Sequence, residues 1–225
     1  MCTLAWGIRD NRLWTCFNRD EQRSREEAEA PMVRSARDQS VIYARDPEGD
    51  GTWFAVNKAG YAVALLNLYA ESSRATRRTR SRGQLVKQLI ESASFEDAAK
   101  AVSRMRFDEF RSCTVFILSN AGGRQFLWDG GSLLENHPCP QFWTTSSYQP
   151  DAVILWRQQQ WAELAGDGEV CLESAASLMA KRHHESAFGM TMDRADARTV
   201  SRIEMQLGNE GCEFLYYPRR QDGTG

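Results

Sequence analysis

Apolar residues in this chain come in short runs separated by polar, turn-forming clusters. Residues 2–8 (CTLAWGI) and 13–20 (LWTCFNRD) read as a hairpin joined by the turn Arg9-Asp10-Asn11-Arg12. Residues 21–40 are charged and irregular, with Pro31 as a breaker. A second hairpin is clearer: GTWFAV (51–56), the turn Asn57-Lys58-Ala59-Gly60, then YAVALLNLY (61–69). Asn and Gly tolerate the positive φ that such turns demand. Residues 71–82 form a polar, arginine-dense loop, and the pattern predicts helices over 82–92 and 95–105. Ser94 caps the second of these, with Asp97 three residues on. Strands follow at 113–121, 124–130 and 141–147, then helices at 151–165 and 171–183. The chain closes with a strand at 197–207, the turn Gly208-Asn209-Glu210-Gly211 and a strand at 212–218. Hairpin strands imply antiparallel sheets, and segregated helices cover them. The expected fold class is α+β: one domain over residues 1–225, with two stacked sheets between helical layers.

Composition narrows this only slightly. The chain has 225 residues, enough for one domain or two small ones. A net charge of −2 gives no whole-molecule pull toward nucleic acid or a membrane. The 28 basic residues include only four lysines, a skew that fits anion binding by arginine or simply GC-rich coding. Six cysteines are scattered without metal-ligand spacing, and no metal or organic cofactor is implied. No basic segment followed by an apolar one opens the chain, and no apolar run reaches 18 residues. The expectation is a cytoplasmic protein with reduced thiols and no membrane insertion.

Cys2 raises the question of chemistry. Once Met1 is trimmed, a cysteine at this place carries a thiol and a free α-amine on one residue. The amine has a pKa of about 7.7–8.0 and the thiol about 8.5, so proton exchange between them costs little near neutral pH. Arg19, ending the strand beside Cys2, favours the thiolate, and Asp20 holds Arg19 or orients the new ammonium. Each of these residues also has a plainer reading. Cys2 fits a strand as a small hydrophobe, and Arg19 and Asp20 fit a strand-end ion pair. The arginines at 74, 77, 78, 80 and 82 fit a solvated loop, and His183 and His184 fit a surface helix end.

Four stretches stand out together: MC at the start, CFNRDE (16–21), AVNKAGYAVALLN (55–67) and FWTTSSY (142–148). MC, NRDE, GTW and LLN in this order, with the RSRG–helix stretch and the late ARTVS, resemble the NRDE family of the transport-and-Golgi-organisation type. More distantly they resemble the choloylglycine hydrolase and penicillin acylase group. That resemblance implies the N-terminal nucleophile hydrolase fold, with four layers αββα. It implies Cys2 as nucleophile, Arg19 beside it, and Asn67 as an oxyanion-hole donor on the hairpin that carries Asn57 and Gly60. Ser146 stands where the hydrolase group has a second asparagine, and Asp20 abuts Arg19 where that group places its aspartate three residues on. Asn67 also fits a strand-end hydrogen bond.

The resemblance implies hydrolysis of a non-peptide amide C–N bond through a Cys2 thioester. The substrate site would include Asn18 and, for an acidic group, Arg77, Arg78 and Arg80. The alternative is a carrier or chaperone that keeps the fold and binds an apolar acidic ligand, haem or an acyl chain. Neither reading implies a nucleic-acid partner or fixes an oligomeric state.

Overall fold

The computed structural model describes residues 2–36, 39–69, 80–166 and 168–219. In chain order the strands are β1 (Cys2–Arg9), β2 (Arg12–Gln22), β3 (Met32–Ala36), β4 (Gln39–Tyr43), β5 (Phe54–Asn57) and β6 (Tyr61–Asn67). Helices α1 (Gly83–Ile90) and α2 (Phe95–Val102) follow, then β7 (Cys113–Ser119), β8 (Gly122–Trp128), β9 (Leu133–Asn136) and β10 (Phe142–Thr145). The last elements are α3 (Pro150–Gly166), α4 (Leu172–Met179), β11 (Ala197–Gly208) and β12 (Gly211–Pro218). The α+β class expected from the sequence is what the chain adopts: two antiparallel sheets, each with its own pair of helices.

The chain divides into two compact units. The first comprises Met1–Arg25, Gln141–Leu207 and Cys212–Gly225. Its five-stranded sheet has the order β10-β1-β2-β11-β12. Asp10 and Asn11 both take positive φ, 50° and 58°, which lets a two-residue turn follow the twist of β1 and β2. Ala5, Trp14, Cys16 and Phe142 point from one face of this sheet and pack against Ala175, Leu178 and Met179 of α4 and against Met190. Trp161 of α3 stacks on Phe142 with ring centroids 5.1 Å apart.

The second unit, Glu26–Pro140 with Gly208–Gly211, holds a seven-stranded sheet in the order β3-β4-β5-β6-β7-β8-β9. Val63, Leu65, Val115 and Ile117 meet Leu85 and Leu89 of α1 and Val102 of α2 in one apolar cluster. Burying one side chain of this kind contributes about 1.5–3 kcal/mol. Ser94 caps α2 as expected, accepting from the Asp97 N–H at 3.1 Å. Two motif stretches meet where α1 begins. A Cβ on Gly51 would lie 2.7 Å from the Gly83 backbone, so only glycines let the two chains approach this closely.

Two strand pairings differ from the expectation. β3 and β4 form a hairpin within a region that reads as irregular, and β9 was not foreseen. Both β3 and β9 are short edge strands with mostly exposed side chains, so neither produces a clean alternation of apolar and polar positions. α4 stops at Met179, short of the expected 183, because the chain beyond it turns back. The carbonyls of Met179 and Met190 both accept from Asn18 Nδ2, at 2.8 and 2.9 Å.

Candidate active site

β1 is an inner strand, and its first residue is Cys2. In the antiparallel register Cys2 stands opposite Thr145 of β10 on one side and Arg19 of β2 on the other, and Arg19 stands opposite Ser201 of β11. Directly opposed residues share a face, so Thr145, Cys2, Arg19 and Ser201 form one row at about 4.8 Å per strand. All four are buried. The Cys2 backbone N–H donates to Thr145 Oγ1 at 3.3 Å. Arg19 Nη2 reaches Glu21 Oε2 at 3.4 Å. The Ser201 hydroxyl has no hydrogen-bond partner among the described residues.

Burial pushes the Cys2 thiol up to about 11, and the Asp20 carboxylate adds to the rise. The chain's terminal ammonium pulls the other way most strongly, followed by the Asp20 backbone N–H and the Arg19 cation.

A register shift between Thr199 and Ser201 falls beside this row, so β11 presents Ser201 to Arg19 and Thr199 to Asp20. The Thr199 hydroxyl donates to Asp20 Oδ1 at 2.6 Å and accepts from the Met192 N–H at 2.8 Å. The Asp20 Oδ2 atom lies 3.7 Å from Nη1 of Arg157, and neither side chain is exposed. Arg157 comes from α3. Its Nη1 donates to the hydroxyls of Thr3 and Thr144, each at 3.0 Å, and those hydroxyls are 2.8 Å apart. Its Nε and Nη2 donate to the carbonyls of Phe188 and Gly189 at 3.1 and 2.7 Å. Burial lowers the Arg157 pKa from its ordinary value, while the charges of Asp20 and Cys2 hold it up.

Among the residues expected at the site, Cys2 and Arg19 thus stand side by side. Asp20 faces Thr199 and Arg157, on the helix-covered side. Asn18 also points to that side, where its amide is used on the carbonyls of Met179 and Met190. Ser146 follows Thr145, and its hydroxyl closes a local turn, donating to the Tyr148 carbonyl at 2.6 Å and accepting from the Tyr148 N–H at 3.1 Å. Asn67 ends β6 in the second unit, half-buried, and its side chain makes no hydrogen bond among the described residues. Arg80 is exposed, paired with Glu109 at 2.9 Å and set over the Phe110 ring. Arg77 and Arg78 lie outside the described residues. No group of residues with metal-binding potential occurs among the described residues, and none of their helices is long and apolar enough to cross a membrane.

Sequence reasoning missed Thr145, Ser201 and Arg157. For Arg157 a signal existed: Val153, Arg157 and Trp161 recur at four-residue spacing, so the arginine occupies the stripe that faces the sheet. For Thr145 and Ser201 only the strand register supplies the information.

No curated protein matches the chain significantly. Solved structures do match in fold. An N-acylethanolamine-hydrolyzing acid amidase ortholog from Caenorhabditis elegans aligns with a TM-score of 0.64 at 13% identity, covering 91% of this chain and 92% of that one. A conjugated bile acid hydrolase from Clostridium perfringens, with leucine in place of an arginine, aligns at 0.54 and 11% identity, covering 97% and 92%. A cysteine-to-alanine form of the same hydrolase aligns at 0.53 and 10% identity, covering 100% and 94%. The fold is therefore that of N-terminal nucleophile amide hydrolases, as the sequence resemblance implied. The model of the Transport and Golgi organisation 2 family matches residues 1–132 of the 225, and the chain belongs to that family.

Proposed function

We propose that the protein hydrolyses a small, non-peptide amide, with Cys2 as an N-terminal nucleophile once Met1 has been removed. The observation that carries this reading is the row at the head of β1. It sets the Cys2 thiol beside a buried guanidinium and gives the nitrogen that would become the α-amine a partner in Thr145. A fold shared with proteins named as an amidase and a bile acid hydrolase supports it.

In the proposed cycle the Cys2 amine takes the thiol proton, and the thiolate attacks the amide carbonyl carbon. The carbonyl oxygen becomes negative, and the amide of Asn67 is the assigned donor, contributing about 3–4 kcal/mol to the transition state. The C–N bond breaks as the ammonium returns its proton to the leaving amine. Water then attacks the thioester, the amine accepts its proton, and the acid and free thiol are released. Arg77, Arg78 and Arg80 are assigned to an acidic group on the substrate. Reduced thiols suit a cytoplasmic setting.

A second reading rests on the same cysteine. Burial that pushes the thiol up to about 11 suits a carrier of an apolar acid such as haem or an acyl chain, which has no use for a thiolate. One screen separates the two. Acyl amides, acyl-CoAs and haem are offered to the parent and to Cys2→Ser. Amide cleavage that vanishes in Cys2→Ser while binding persists supports the hydrolase. Tight binding of one apolar acid by both proteins, with no amide cleaved, replaces it with the carrier.

A further inference from the structure

The groups beneath Cys2 form a more elaborate arrangement than the proposed cycle uses. Arg157 is the largest fully buried side chain of the described chain, and it sits on a helix in which only Val153 is also buried. A guanidinium out of water is costly unless its N–H groups and charge are matched. Here four acceptors and one carboxylate match them, on four different segments: β1 and β10 through the two threonines, the 188–189 loop through its carbonyls, and β2 through Asp20. Ordinary packing of α3 on the sheet needs only an apolar residue at this place.

The targets are specific. Thr3 follows Cys2 and Thr144 precedes Thr145, so Arg157 ties together the two residues flanking the Cys2–Thr145 contact. Asp20 follows Arg19, the residue opposite Cys2, and its backbone N–H is directed at the thiol. One side chain thus fixes both strands that border the nucleophile and sets the counter-charge of the carboxylate beneath it.

Resting on the reading of Cys2 as nucleophile, we propose that Arg157 is a positioning residue: it locks β1, β2 and β10 at the Cys2–Thr145–Arg19 row and offsets the Asp20 charge that would otherwise oppose the thiolate. The charges that act on the Cys2 thiol are the chain's terminal ammonium, Arg19 and Asp20 on β2 and Arg157 on α3; Glu21 on β2 stands opposite Arg198 of β11, and β10 contributes only Thr144 and Thr145. Asp20 disfavours the thiolate, and the terminal ammonium, Arg19 and Arg157 favour it. Loss of Arg157 therefore leaves Asp20 uncompensated and moves the thiol's titration to higher pH.

The test is the pH profile of iodoacetamide labelling at Cys2, followed by peptide mapping, on the full chain. Arg157→Met should move the midpoint up by about one unit or more, which is about tenfold slower labelling at a fixed pH below it. Arg157→Lys keeps the cation and should recover most of that shift. If Arg157→Met does not fold, Asp20→Asn is compared with Asp20→Asn/Arg157→Met, which leaves no uncompensated buried anion; losing the Arg157 cation, which itself acts on the thiol, should still raise the midpoint, by less than in the parent background. An unchanged midpoint in either pair overturns the proposal. The parent profile is read separately: a parent Cys2 that labels no faster than Cys16 or Cys113 counts against the nucleophile, whereas the shift on losing Arg157 can still be read in the alkaline range.

Discussion

Beneath α1 and α2 the second sheet presents Val63, Leu65, Val115 and Ile117, and its polar groups there are few. Asn57 donates to the carbonyls of Ile90 and Ser92 and accepts from the Ala59 N–H, while Tyr61 donates to the same end of α1. Beneath α3 and α4 the first sheet presents Thr3, Asn18, Asp20 and Thr144, and the helix above them supplies a buried guanidinium. Both sheets are antiparallel and both are covered by helices, so the difference does not come from architecture. Apolar packing tolerates small rearrangement. A network of matched charges and hydroxyls does not, because each displaced partner leaves a buried polar group unpaired. The second unit is organised to be stable; the first holds particular atoms in place at the head of β1.

The largest expected effect that sharpens this contrast is on Cys2. Cys2→Ser should lower amide turnover by on the order of 10⁴ or more, since the nucleophile of such a site contributes most of its rate. The melting temperature should move little, because the two side chains are nearly the same size. Turnover that survives the change removes Cys2 from the chemistry.

Asn67→Ala comes next. Its side chain makes no hydrogen bond among the described residues, so stability should stay within about 0.5 kcal/mol of the parent. Turnover should fall by about 10²–10³. A loss of stability with turnover intact would return Asn67 to the strand-end role.

Leu89→Ala tests the other side of the comparison. Leu89 is fully buried in the apolar cluster, and the cavity should cost about 2–5 kcal/mol in denaturant unfolding. The Cys2 labelling profile should not change. A shifted profile would show that the two units do not divide stability and chemistry in this way.

A separate effect is a pH dependence. Burial raises the thiols of Cys2 to about 11 and of Cys113 to about 12, against 9.0 for an ordinary thiol. Above pH 9 the unfolded chain loses protons that the folded chain keeps, so stability is fully present below 9 and falls as pH rises toward 11 and 12. The slope should approach about 1.4 kcal/mol per pH unit for each thiol. Cys2→Ser should flatten the limb between 9 and 11, and Cys113→Ser should flatten it up to 12. A limb indifferent to both substitutions would mean that neither thiol is titrating there.

Much of this was legible in the sequence. The turns at Asp10-Asn11 and Asn57–Gly60, the Ser94 cap and the run of inward-facing residues in β6 and β7 each follow from local chemistry. The edge strands β3 and β9 were not legible, because an edge with one weakly buried face carries little period-two signal. At the site, Cys2 and Arg19 could be singled out by position and charge. That Asp20 would face Thr199 and Arg157 could not, because their contact joins residues 137 and 179 positions apart and depends on the register shift in β11. Asn18 sits beside Arg19 in sequence yet serves the carbonyls near α4, since successive strand residues face opposite ways.

The central claim stands on the amino group of Cys2, and the intact mass of protein expressed without a tag tests it most directly. The expected mass is that of a chain beginning at Cys2, with Met1 removed. A purified protein that retains Met1 has no α-amine at Cys2 and contradicts the mechanism.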